Sequence, residues 1–144
     1  MDRDNLKLVI AIARTHNSLF GKIEKKLRKH SLSVSEFGVL ELLYHKGRQP
    51  VQIIAEKILV TSGTITYVID KLVKKDLVVR EKCSEDKRKF YVDLTESGRE
   101  LIAEIFPYHE KHLEELFRGI DDETKKYLID SLFMLKDSIE EEDR

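Results

Sequence analysis

Apolar residues recur along this chain at two periods, and the switch between them divides it. From Leu6 through Val9, Ile10, Ala13, Phe20, Ile23 and Leu27 the spacing follows one side of an α-helix, which predicts a long first helix ending near Arg28. Ser33 and Glu36 stand at the spacing of a capping box, and Phe37, Leu40, Leu43 and Tyr44 follow as the inner face of a second helix that stops at Gly47. Pro50 signals the start of a short helix over Val51 to about Ile58, with Ile54, Ala55 and Ile58 inward. Leu59, Val60 and Thr61 turn the chain into a fourth helix, Thr61 to Lys75, whose apolar stripe is Ile65, Val68, Ile69 and Leu72. Thr61 or Ser62 can serve as its N-cap, and Thr64, Tyr67, Lys71, Lys74 and Lys75 fall on its other side.

After Lys75 the period drops to two. Val78 to Cys83 and Lys89 to Leu94 read as short strands, with Phe90, Val92 and Leu94 alternating with Tyr91 and Asp93. The polar segment between them makes a hairpin with a charged tip. A short helix, a tight turn and a second helix with a hydroxyl-rich start form a helix-turn-helix, and the small Ala55 allows the two to approach closely. A hairpin directly after it makes a winged helix. The helical period then returns: Thr95 caps a helix over Glu96 to about Arg118, which Pro107 should bend or locally break. Asp121 or Asp122 caps a last helix with Leu128, Leu132, Leu135 and Ile139 at near-heptad spacing.

The expected fold is mainly α with a small β-hairpin wing: a winged helix-turn-helix with long N- and C-terminal dimerisation helices. Residues 1–32 and 96–144 are assigned to dimerisation and 33–95 to the DNA-binding lobe, intertwined as one domain. The terminal helices carry more apolar surface than the compact middle can cover, so their natural partner is a second copy. A two-fold dimer sets two recognition helices about 34 Å apart, which matches a palindromic operator.

Charge sharpens this picture. The net charge is only −1, yet Met1 to Leu94 holds 19 Lys and Arg against 12 Asp and Glu, while Thr95 to Arg144 holds 7 against 15. The first part offers a basic surface to a polyanion. Two Pro and six Gly favour helix, and a single cysteine excludes an intramolecular disulfide framework and suits a reducing compartment. The longest apolar run, Leu8 to Ala13, is too short for a bilayer, and the N-terminus lacks a signal-peptide layout, so a cytoplasmic protein without membrane contact is expected. No phosphate-binding Gly loop, Gly-x-Ser-x-Gly, Cys-x-x-Cys or His-Glu-x-x-His is present, so nothing supports catalysis, and no cofactor or metal ligand set is assigned.

Leu32 to Glu36, the segment TSGTITYVIDKLVKKDLVVR and above all the wing SEDKRKFYVDLTESG resemble the MarR family of winged-helix transcription regulators. The most specific piece is Asp86-Lys87-Arg88 followed by Val92-x-Leu94-Thr95-x-x-Gly98. The resemblance implies an obligate homodimer, usually a repressor, that binds double-stranded DNA. Its recognition helices would enter the major groove, and Arg88, oriented by Asp86, would reach the flanking minor groove. Thr61, Ser62, Thr64, Thr66 and Tyr67 are then the candidates for base and phosphate contact, with Lys71, Lys74 and Lys87 as phosphate neutralisers. One departure is Asp76, where relatives commonly carry Gly in a left-handed conformation at the end of the recognition helix.

The stretches EFGVLELLYHKG and IFPYHEKHLEELF look similar to the branch that answers catechols and hydroquinones, which implies release by a phenol or quinone. His16, Phe20, Phe37, Tyr44, His45 and Tyr108 are the candidate pocket, against packing roles for the same aromatics. Redox control through Cys83, metal control through His109 and His112, and a winged-helix protein-interaction module without DNA stand as alternatives.

Overall fold

A computed structural model describes residues 3–58 and 62–142. It contains six helices, α1 Arg3–Leu27, α2 Val34–Lys46, α3 Val51–Ile58, α4 Ser62–Lys74, α5 Glu96–Leu116 and α6 Asp122–Glu142, and three strands, β1 Gln49–Pro50, β2 Val78–Lys82 and β3 Phe90–Leu94. The winged-helix architecture expected from the sequence is present. The chain forms two compact units, Met1–Pro107 and Tyr108–Arg144.

In the first unit, Leu40, Leu43, Ile54, Ile65, Ile69, Leu72, Val92 and Ile102 form the centre of the core, with Val68 and Phe37 beside them. All four stripe residues of α4 are therefore buried, as their spacing required. The α2 capping box is complete: Glu36 N donates to Ser33 Oγ and Ser33 N to Glu36 Oε1, both at 3.1 Å. A short 3₁₀ turn, Arg28–His30, follows α1 and ends at Ser31, which is left-handed at φ 56°.

The sheet has three strands in the order β1-β3-β2, all antiparallel, where the periodicity indicated only a hairpin. Pairing of Gln49 with Val92 and of Pro50 with Tyr91 anchors the entry to α3 on the wing. Proline is tolerated because β1 is an edge strand. In β3, Val92 and Leu94 are buried, but Phe90, expected to share their face, is 37% exposed at the hairpin end, where the core no longer reaches it.

The recognition helix ends in a Schellman motif: Leu77 N donates to Leu72 O and Asp76 N to Val73 O, each at 3.0 Å, with Asp76 at φ 59°. The departure at Asp76 thus keeps the left-handed geometry. Thr95 caps α5 by accepting from Gly98 N at 2.9 Å, and its hydroxyl donates to Asp76 O at 2.6 Å. The α5 helix runs unbroken through Pro107, contrary to a local break. Proline removes one hydrogen bond, and the partner it deprives, the carbonyl of Ala103, belongs to an exposed residue that water can reach.

In the second unit Asp121 is the cap of α6, accepting from Thr124 N at 2.8 Å, and the Thr124 hydroxyl first, then its amide, hold the Asp121 carboxyl below the usual carboxylate range. Along α6, Leu128, Ile129, Leu132, Phe133, Met134 and Ile139 are exposed in the single chain, as are Leu6, Val9 and Ile10 of α1. Among the described residues no helix is long and apolar enough to cross a membrane.

Candidate nucleic-acid interface

Because Ile65, Val68, Ile69 and Leu72 all point into the core, α4 has no choice about which side it shows. Thr64, Thr66, Tyr67, Lys71 and Lys74 are exposed on it. Tyr67 is 60% exposed, and the ammonium of Lys71, one turn on, lies 5.0 Å from its ring centroid. That contact holds both side chains on one outward ridge. Ser62 is the first residue of α4, and Thr61 lies outside the described residues.

The wing tip is built by Asp86. Its Oδ1 accepts from the backbone N–H of Arg88 at 3.0 Å and from Arg88 Nε at 3.2 Å, while its backbone oxygen accepts from Lys89 N at 3.0 Å. Cys83 N donates to Lys89 O at 3.0 Å and closes the hairpin below. The Asp86 carboxyl is held below its ordinary range first by the Arg88 amide, then by the Arg88 side chain. The Arg88 side chain is 91% exposed, so Asp86 aims the guanidinium without covering it. Lys87 beside it is exposed.

Helix and wing meet at one cleft of about 550 Å³, lined by Gln52 of α3, Thr66 and Asp70 of α4, and Arg80, Arg88 and Phe90 of the wing. Asp70 pairs with Arg80, which fastens β2 to the outer flank of α4. Arg48 bonds Glu81 at 2.8 Å and lies 4.4 Å from the centre of the Tyr91 ring. Sequence periodicity did not single out Arg48, Gln52, Asp70 or Arg80. Their partners lie 10 residues away for Asp70 and 33 for Arg48, beyond any local pattern. Helical spacing puts Lys75 with the outward lysines, yet its ammonium bonds Glu36 and the Ser31 carbonyl.

The profile of the MarR family matches residues 32–90, the lobe that carries this geometry. The helix-turn-helix-type transcriptional regulator MhqR of Bacillus subtilis is 43% identical over 123 residues, covering 85% of this chain and 85% of that protein. The chain belongs to the MarR family. Solved structures share the fold, among them two regulators. AbsC, a MarR family transcriptional regulator from Streptomyces coelicolor, matches with a TM-score of 0.87 at 20% identity over 97% of each chain. BpsR of Bordetella bronchiseptica, whose DNA binding is regulated by 6-hydroxynicotinic acid, matches with a TM-score of 0.82 at 21% identity, over 90% of this chain and 98% of that one. This MarR regulator is accordingly a DNA-binding winged-helix protein of transcription.

Of the six residues assigned to an effector pocket of this MarR regulator, His16, Phe20, Phe37, Tyr44 and His45 lie in the first unit. His16 and Phe20 pack against each other on α1 with centroids 4.7 Å apart. Phe37 is buried in the core. Tyr44 and His45 surround Phe106, at 6.4 and 4.7 Å, a ring outside the six candidates. Tyr108 lies in the second unit and is 70% exposed. A cavity of about 460 Å³ between α2 and α3 is lined by Ser35, Glu41, His45 and Lys57, and by none of the other five candidates. Among the described residues no three His, Cys, Asp or Glu side chains come together to hold a metal ion.

Proposed function

We propose that this protein is a cytoplasmic repressor that binds a pseudo-palindromic operator as a homodimer and is released by a small phenolic or quinone effector. The observation that carries the DNA contact is the cleft in which Thr66 of the recognition helix and Arg88 of the wing line one surface. A rod bearing small hydroxyls and Tyr67 suits the major groove. A guanidinium at a hairpin tip suits the narrow, electronegative minor groove beside it. Thr61, Ser62, Thr64, Thr66 and Tyr67 take base and phosphate contacts, and Lys71, Lys74 and Lys87 neutralise phosphate.

Dimerisation rests on residues 1–32 and 96–144, with 33–95 as the reading lobe. The exposed apolar rows of α1 and α6 support this, since rows of that length seldom face water in a stable monomer. The aromatic effector is supported by the rings gathered at Tyr44, His45 and Phe106, and BpsR gives a precedent for control by a hydroxylated aromatic acid. Fragments of the source genome that the protein retains would identify the operator. Release from them would then be screened with phenols, quinones, oxidants and Zn²⁺. The proposal requires a fragment with inverted half-sites about one helical turn apart, dimeric protein by sedimentation, and release by an aromatic compound. Monomeric protein, or release by oxidants or Zn²⁺ alone, would refute the corresponding part.

A further inference from the structure

The last turn of α4 is held by a contact that its DNA-facing side does not use. The Glu36 side chain is 4% exposed. A carboxylate so buried needs a counter-charge and filled lone pairs. Its Oε1 accepts from Ser33 N, within the capping box, and its Oε2 accepts from Lys75 Nζ at 2.6 Å. The same ammonium donates to the carbonyl of Ser31 at 2.6 Å. Lys75 therefore sits where three chain segments meet: the left-handed end of the turn after α1, the start of α2 and the end of α4. A cation is favoured there, at carbonyls that close helix ends. On the next residue, the Asp76 carbonyl accepts from Thr95 Oγ1. The C-terminal end of the recognition helix is thus fastened on two sides.

The lever is long. Thr64 lies 11 residues before Lys75, about 16 Å along the axis at ~1.5 Å per residue. A tilt of about 5° at the fastened end moves the leading hydroxyls by roughly 1.4 Å, more than a hydrogen bond of ~2.7–3.2 Å tolerates. We infer that Lys75 and Glu36 are positioning residues for operator recognition: the pair sets the angle at which the start of α4 meets base edges, and Lys75 is not a phosphate ligand. This rests on the DNA-binding reading of α4. Misaiming the helix removes base contacts and leaves the phosphate contacts of the lysines in place, so it lowers specificity and spares general affinity.

The test compares Lys75→Met, Lys75→Arg, Glu36→Gln and the Lys75→Met/Glu36→Gln double variant on the fragment selected by the wild-type protein and on an unrelated duplex of equal length, across a salt series. Glu36→Gln keeps the capping box, which accepts Gln, and replaces the carboxylate oxygen that faces Lys75 by an uncharged amide, so it reports even where Lys75→Met folds poorly. The expected result is about a tenfold loss of operator affinity in Lys75→Met and in Glu36→Gln, the scale of one lost base contact. Non-specific affinity stays within about twofold and the salt slope is unchanged. The double variant should be no weaker than the worse single, and Lys75→Arg should restore binding. A salt slope reduced by about one in Lys75→Met, or parallel loss on both duplexes, overturns the inference, because it makes Lys75 a phosphate contact or a general stabiliser. Unchanged operator binding in Glu36→Gln overturns it as well. Failure of the wild-type protein to select any fragment is distinct from these outcomes, and strikes the DNA reading itself.

Discussion

Replacing Gly98 by alanine brings a methyl group against the backbone of Leu77. A Cβ at that position lies inside contact distance of the Leu77 carbonyl oxygen, and 2.9 Å from the carbonyl carbon. Carbon atoms ordinarily rest about 3.5–4.0 Å apart, so the Leu77 peptide has to retreat by at least about 0.6 Å. That peptide has little room to yield: its oxygen accepts from Thr95 N at 3.1 Å, and its nitrogen closes the Schellman motif on Leu72 O. Loss of the Thr95 bond costs about 1 kcal/mol. Disturbing the Thr95 cap on Gly98 N costs ~0.5–2 kcal/mol, and overpacking adds ~1–3 kcal/mol. Alanine returns up to about 1 kcal/mol of helix propensity, which leaves a net loss on the order of 2–4 kcal/mol. For a chain of this size each kcal/mol lowers Tm by about 2–4 °C, so Gly98→Ala should fall by roughly 4–16 °C. Thermal unfolding is to be followed at one fixed protein concentration, because dimerisation makes Tm concentration-dependent. Gly21→Ala is the paired control: a Cβ there meets nothing within 4 Å, and the change should be neutral or stabilising. A Gly98→Ala variant melting within about 2 °C of the wild type would refute the close approach between Leu77 and the start of α5.

Arg88→Ala should weaken operator binding at least tenfold, roughly 1.4 kcal/mol, measured by fluorescence anisotropy; unchanged affinity would remove the wing from the interface. At position 76 urea denaturation should rank Gly above Asp above Val. Glycine should gain about 0.5 kcal/mol and valine lose ~1–2 kcal/mol, because φ is positive there; a valine variant as stable as the wild type would contradict that geometry. The Asp86 carboxyl should titrate below 3.8 by NMR and move back up in Arg88→Ala. Its folded pKa is depressed, so its contribution to the wing turn is present above the unfolded value and lost as pH falls through the folded one, which leaves it intact at neutral pH. Leu72→Ala, at a fully buried position, should cost ~2–5 kcal/mol in the same denaturation assay.

What the sequence determined by itself was everything governed by neighbours a few residues apart. The stripe of α4 is fixed by a 3.6-residue period. The capping box of α2 lies within four residues, and the aim of Arg88 depends on Asp86 two positions away. These features are legible locally because the forces that set them act within one or two turns of chain. The alternation in β3 held for Val92 and Leu94 and failed at Phe90, where burial depends on what the sheet faces and the local pattern carries no information about that. The third strand escaped for the same reason: Gln49 and Pro50 are too few to show a period, and their partners lie some 40 residues on. Only the tertiary structure separated the lysines of α4. Lys71 and Lys74 point outward, whereas the ammonium of Lys75, whose side chain is still 36% exposed, bonds a buried carboxylate 39 residues earlier in the chain. Charge alone cannot tell a phosphate ligand from an internal tether, because both need a cation at the end of a helix. The difference lies in which acidic group the fold carries within reach, and that is decided when α1, α2 and α4 pack.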